Sequence, residues 1–346
     1  MAKQNVVFLL ARIPKRPSVA KGTASGNLMH GMGYVHVVRG FRDARDGVKY
    51  IKHDYPLILT KDEEIMNQML EWRQNDIVLI KGVLVSKDII KESRCTNPEC
   101  KDPDGKGGTK NSFKGTVLFI NPIWTMKIQS FGESPKEKQL DENGREKPDE
   151  NKKAAIKFLV DNRELSNQAY FIGTVVKEPT LFKTKKGTTV GQYQVCINRK
   201  YHIRSDDPSI RRDWPYIKSY GDQAIEDKLR LKLGTDVYID GFVQARRITR
   251  RIKCKCCGKI YTWPDHAMEI VPFAVEYGKG TYRTDKDIAA EKKASVEDLR
   301  QQLFDGLIKD KVTKEEKENI SDDIDKSSVD DADEDENDKN KGYVSF

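Results

Sequence analysis

The sequence predicts a mainly β protein built from two tandem five-stranded Greek-key barrels. Three observations carry that expectation: an internal duplication, strand-like alternation of side chains, and one short helical stretch at the same place in each copy. The duplication has a period near 160 residues. Asn5-Val-Val-Phe-Leu-Leu-Ala-Arg12 resembles Asn167-Gln-Ala-Tyr-Phe-Ile-Gly-Thr174. At an offset of 160, Val35, Val37, Arg39 and Phe41 match Val195, Ile197, Arg199 and Tyr201. At an offset of 159, Asp54-Tyr55-Pro56 matches Asp213-Trp214-Pro215, and Val78–Gly82 matches Val237–Gly241. The same offset places Cys95 on Cys254.

Each copy reads as short strands. Residues 168–177, 190–199 and 235–248 alternate apolar and polar side chains and are rich in Val, Ile and Tyr, the pattern of a half-buried sheet. Turns such as Lys185-Lys186-Gly187-Thr188 separate them. A helical stretch follows the third strand, at Asp62–Arg73 in the first copy and Gln223–Lys232 in the second. Five strands with a helix between the third and fourth is the pattern of the OB-fold barrel. Residues 1–131 form the first barrel in this reading and 154–284 the second. Residues 132–153, charged and poor in apolar side chains, have the composition of a linker. Ser295 starts an amphipathic helix within 285–310. Residues 311–346 form a disordered acidic tail whose run from Asp330 to Asp338 ends on the apolar tip Tyr343-Val344-Ser345-Phe346.

Charge is divided unevenly. The chain carries a formal +8, but residues 321–346 hold ten acidic and three basic side chains, leaving the body at +15. A basic body points to a polyanionic partner, because neutralising phosphates releases counterions. The acidic tail is then a competitor for the same groove, and its tip, with Tyr343, Val344 and Phe346, a hook for partner proteins. No stretch is apolar for long enough to cross a bilayer, and the N-terminus lacks the pattern of a signal peptide. A cytoplasmic, nucleoid-associated protein is expected.

Single-strand binders combine basic grooves with aromatic faces on which bases stack. Tyr201 lies in the basic segment Asn198–Arg204, and Trp214 in Arg211–Tyr216. Tyr220, six residues on, shares the face of Trp214 if the strand is unbroken. Arg199, Lys200, Arg246, Arg247 and Arg250 supply candidate groove cations. In the first copy Arg39, Phe41 and Tyr55 take the corresponding places, while Lys61 stands where Tyr220 would be, so weaker binding is expected there.

Residues 167–277 resemble a bacterial single-stranded DNA-binding protein. NQAYFIGTVVKEPTLFKTKKGTTVGQYQVCINRKY is similar to that family's first strands and basic turn, and DWPYIKSYGDQAIEDKLRLKLGTDVYIDGFVQAR to its third strand, helix and fourth strand. Trp214, Tyr220 and Tyr201 fall where the family carries stacking aromatics. Ile248 stands near the place of a further arm aromatic, and the tail resembles the family's docking tail without its usual tip. The resemblance implies a sequence-independent coat for single-stranded DNA in replication, recombination and repair. It also implies recruitment of replication and recombination proteins through the tail, and a homodimer that brings four barrels together. A recombination or replication accessory factor, or an RNA-binding OB protein, is the alternative. No P-loop, nucleophile elbow, HExxH or dinucleotide fingerprint is present, so no enzyme is expected.

Cysteines occur thirteen residues beyond the aligned glycine in both copies, in the arm between the fourth and fifth strands. The first arm has Cys95 and Cys100, and the second has Cys254, Cys256 and Cys257 in a C-x2-C-G turn of zinc-knuckle type. A structural zinc ion shared by Cys95, Cys100, Cys254 and Cys257 is one expectation. A site closed within the second arm by Cys256 and His266 is the other. Cys196, on a strand, is read as a small strand residue with no special chemistry.

Overall fold

The first repeat forms β1 (Gln4–Arg12), β2 (Ser18–Lys21), β3 (Leu28–Tyr34), β4 (Val37–Val38), β5 (His53–Asp54), β6 (Leu57–Thr60), helix α1 (Glu63–Glu71), β7 (Asp76–Arg94) and β8 (Lys110–Ser130). Helices α2 (Glu150–Asp161) and α3 (Arg163–Ser166) follow. The second repeat comprises β9 (Gln168–Lys183), β10 (Thr189–Asn198), β11 (Arg212–Asp213), β12 (Tyr216–Tyr220), α4 (Asp222–Arg230), β13 (Asp236–Lys253) and β14 (Ile260–Tyr277). This computed structural model describes residues 4–21, 28–40, 51–100, 108–135, 147–184, 187–201, 203 and 211–278. Phe41, the helix expected at 285–310, and the tail at 311–346 with Tyr343, Val344 and Phe346 lie outside the described residues.

Alternation drives each strand into place. On β1, Val7, Leu9 and Ala11 are fully buried, and Val78 and Ile80 of β7 face them from the neighbouring strand. Each aliphatic side chain buried in this way contributes about 1.5–3 kcal/mol. In the second repeat β9 pairs with β10 and β13, β13 with β14, β14 with β12, and β12 with β10, which closes a five-stranded barrel. The first repeat follows the same plan. Its parallel contact, Ile58 beside Ile120, corresponds to Ile217 beside Ile270. Its first strand is split, because Pro14 and Pro17 supply no amide hydrogen between Arg12 and Ser18. β9 passes the same region unbroken, with Pro179 placed at a bulge of its ladder with β10.

The expected helices form within two residues of their predicted ends. Asp62 caps α1 by accepting the amides of Glu64 and Ile65, and Ile65, Met66 and Met69 plug the barrel. In β7 and β13, Gly82 and Gly241 stand at equivalent ladder irregularities. A Cβ at Gly82 would lie 2.4 Å from Cγ2 of Ile120, and one at Gly241 would lie 2.3 Å from the carbonyl oxygen of Val271.

The two barrels form one sheet. β1 runs antiparallel to β9, with Val6 opposite Tyr170, so twelve strands are continuous among the described residues. An approximate two-fold arrangement of hydrogen bonds reinforces the seam. Asn5 brackets the backbone of Leu84, as Asn167 brackets that of Val243. Buried Asp213 of the second barrel accepts the amide of Ser86 in the first, and buried Asp54 of the first accepts that of Ala245 in the second.

Helix α2 was not foreseen. It starts at Glu150, inside the segment read as linker, and the boundary read at residue 154 falls within it. Ala155 and Leu159 pack on Leu10, Val38 and Ile77, so α2 belongs to the surface of the first barrel. Ser166 of α3 is tied there too, donating to the Leu10 carbonyl and accepting the Val38 amide.

Candidate nucleic-acid interface

The outer face of β12 and the residues just before it carry the aromatics of the second barrel. Trp214, Tyr216, Lys218 and Tyr220 alternate with inward Ile217 and Ser219. Pro215 ends the short β11, yet the period of two persists, so Trp214 and Tyr220 share a face. Trp214 is 42% exposed. Its backbone is fixed at both ends: its amide donates to Oγ of Ser86 in the first barrel, and its carbonyl accepts Nε2 of Gln194. Tyr216 stands opposite Gln194 on β10, and the Lys177 ammonium lies 5.8 Å from its ring centroid. Tyr216 was missed in the sequence, although continuing the alternation from Trp214 to Tyr220 passes through it.

The candidate cations divide into two groups. Lys200 and Arg247 are exposed. Arg199 is turned inward, with Nε and Nη2 on Asp213 at 2.6 and 2.8 Å. This corrects its reading as a groove cation: Asp213 has no exposure and its charge requires a partner. Arg39 pairs with Asp54 in the same way at the equivalent place of the first barrel. Arg246 lies on Glu269, which also binds Lys218, and Arg250 shares Asp265 with Lys91. Burial works against ionisation of both acids, but the paired cations hold their carboxyls below the ordinary range.

Tyr201 is placed differently from Trp214. It joins Ile203 in an apolar cluster with Val83, Val85 and Phe119 of the first barrel, and Lys81 lies 5.0 Å from its ring centroid. Leu57 and Leu59, at the positions matching Tyr216 and Lys218, pack against the same cluster. Tyr55 retains the exposure of its counterpart, also 42%, and stacks on His36 at 4.9 Å. Burial, then the neighbouring Arg12 and His53, push the His36 pKa well down, so its ring is neutral near pH 7. Nδ1 of His36 accepts from Nε of Arg12, which leaves Nε2 to donate to Nδ1 of His53.

The arms, formed by the outer halves of β7 with β8 and of β13 with β14, lie against each other. Lys91 of one reaches Asp265 of the other, Phe113 meets Trp263 edge to face at 5.4 Å, and Ser93 hydrogen-bonds Tyr261. At their tips the sulfurs of Cys95, Cys100, Cys254 and Cys257 all lie within 4.8 Å of one another. Backbone amides of Cys257 and Cys256, with Asn111, hold the Cys254 thiol down at about 6, although burial opposes this. Cys256 is exposed and outside this group, and His266 packs on Tyr34 at 5.5 Å between ring centroids.

Residues 166–255 match the model of the single-strand binding protein family, so the resemblance read from the sequence stands for the second barrel. None of the curated proteins matches the chain. Two crystal structures of the single-stranded DNA binding protein from Thermus aquaticus are similar. The wild type is 13% identical with a TM-score of 0.44, over 83% of this chain and 99% of that one. A deletion variant is 14% identical with a TM-score of 0.45, over 82% and 100%.

Proposed function

We propose, from a second barrel that matches the single-strand binding protein family, that this chain binds single-stranded DNA without reading its sequence and performs no catalysis. The observation that carries the reading is the ladder of Trp214, Tyr216 and Tyr220 on one outer face, with the Lys177 ammonium 5.8 Å from the Tyr216 ring centroid and with Lys200 and Arg247 exposed elsewhere on the same repeat. Aromatic faces stack on any base and cations follow the phosphates, so such a surface discriminates strandedness rather than sequence. The first barrel contributes less, since Leu57, Leu59 and Lys61 replace the ladder and Tyr201 and Ile203 pack on the adjoining cluster. Its role is largely assembly.

Protection of DNA intermediates in replication, recombination and repair follows from coating them. The acidic tail recruits partner proteins through Tyr343, Val344 and Phe346, with the body's +15 holding the tail until DNA displaces it. Two chains associate to bring four barrels together. Trp124, Met126 and Ile128 of β8, exposed at 45%, 45% and 41%, supply an apolar face for that contact.

Binding of equal-length single-stranded DNA, RNA and duplex at two salt concentrations tests the reading. Tight, weakly sequence-dependent binding to single-stranded DNA is expected, and a preference for RNA or duplex overturns it.

A further inference from the structure

The geometry points to one structural zinc ion held by Cys95, Cys100, Cys254 and Cys257, fastening the arm of the first barrel to the arm of the second within a single chain. Four thiols from two distant segments converge at one point. Cys100 and Cys254 are 3.6 Å apart at sulfur, and Cys95 and Cys257 are 3.8 Å apart. A disulfide requires about 2.05 Å between sulfurs. Tetrahedral zinc with bonds of about 2.3 Å places its thiolates roughly 3.8 Å apart. Both cross-arm distances agree with the zinc geometry and neither agrees with a disulfide.

The surroundings are built for thiolates rather than for four neutral thiols. Asn111 Nδ2 points at Cys254 Sγ at 3.6 Å, and its Oδ1 accepts the Lys255 amide, so one side chain of the first arm braces the knuckle of the second. Thr109 lies 3.2 Å from Cys100 Sγ, and its hydroxyl can donate to a thiolate there. Gly258, at φ 69°, closes the C-x2-C turn by donating its amide to the Cys254 carbonyl. Arg94, Lys253 and Lys255 flank the cluster in sequence and offset the double negative charge of a zinc tetrathiolate.

The arrangement decides between the two ligand sets left open by the sequence. His266 is engaged with Tyr34 at the far end of the arm contact, and Cys256 is solvent-facing, so the second arm closes no site of its own. With four protein ligands no position is left for water or substrate, which makes the site structural. Its work is mechanical: each barrel's arm becomes the anchor of the other's, and Lys91, Arg250, Phe113 and Trp263 are held in register behind it.

Elemental analysis of the full chain, purified under reducing conditions, tests the assignment independently of DNA binding. One zinc per chain is expected for the wild type, for Cys256→Ser and for His266→Ala. A loss of tenfold or more is expected for Cys95→Ser and Cys257→Ser. Cobalt substitution guards against variants that retain metal or fold poorly, since wild type should give the charge-transfer bands of a tetrathiolate and Cys95→Ser should not. Wild type without bound metal, one iron in place of zinc, full zinc with an unaltered cobalt spectrum in Cys95→Ser, or zinc lost from Cys256→Ser would each overturn the proposal.

Discussion

Replacing Arg199 by Met separates a scaffold ion pair from a groove cation, because the two roles predict opposite results. In the structure Arg199 donates from Nε and Nη2 to Asp213, whose oxygens also receive Nδ2 of Asn5 at 3.3 Å and the Ser86 amide at 2.8 Å. Arg199→Met leaves a carboxylate with no exposure holding only neutral donors. Removing one partner of a buried pair costs about 3–5 kcal/mol, a large share of the roughly 5–15 kcal/mol that holds a typical domain folded. Urea denaturation should show a loss of unfolding free energy of that size, read as a lower midpoint at unchanged slope. The double variant Arg199→Met/Asp213→Asn should recover part of the loss, since the stranded charge is gone. Affinity for single-stranded DNA should keep the same dependence on salt when measured on the folded protein. A groove cation would behave otherwise: stability would change by less than about 1 kcal/mol, and the slope of log K against log salt would fall by about 0.7. That second pattern refutes the inward reading of Arg199.

Trp214→Ala, which removes a half-exposed ring without touching the core, should weaken single-strand binding by about 1–3 kcal/mol in fluorescence anisotropy, and Tyr216→Ala should fall in the same range. Tyr55→Ala, at the equivalent position of the first barrel, should cost less than Trp214→Ala. Gly241→Ala drives a Cβ into the Val271 carbonyl at the β14 bulge and should destabilise the fold by about 1–3 kcal/mol in thermal or urea melts. Burial pushes the Asp227 carboxyl up to about 6 despite hydrogen bonds from Gln223 and Tyr277. Its folded form therefore holds a proton that the unfolded chain releases near the ordinary 3.8, so stability falls as pH rises from about 4 to 6. The gap corresponds to about 3 kcal/mol. The difference in stability between wild type and Asp227→Asn should change by that order across this window, whereas a constant difference would contradict the assignment.

The duplication made much of the architecture readable. Offsets of 159 and 160 align Arg39 and Asp54 with Arg199 and Asp213, Gly82 with Gly241, and Cys95 with Cys254, and every one of these pairs occupies equivalent structure. The fate of individual charges was not readable. Arg246 and Arg250 look like free cations along the chain, because Glu269 and Asp265 reach them only through the β13–β14 register, 23 and 15 residues away. Tyr201 reads as a loop aromatic until the neighbouring barrel is present to receive it. Helix α2 was hidden because it straddles the boundary read between residues 153 and 154: its first turn, Glu150–Lys153, is polar and charged like the segment before it, and the apolar neighbours of Ala155 and Leu159 come from β1, β4 and β7.

The seam between the barrels carries a consequence for specialisation. A pair of identical barrels joined by symmetry has to place the same residue on both faces, so any substitution is made twice. Here the exchange of carboxylates between Asp54 and Asp213 keeps the symmetric joint while one polypeptide encodes the halves separately. Leu57 and Leu59 can therefore differ from Tyr216 and Lys218 without disturbing the partner face. One half packs Leu57 and Leu59 against the cluster that holds Tyr201 and Ile203, and the other keeps its aromatic ladder.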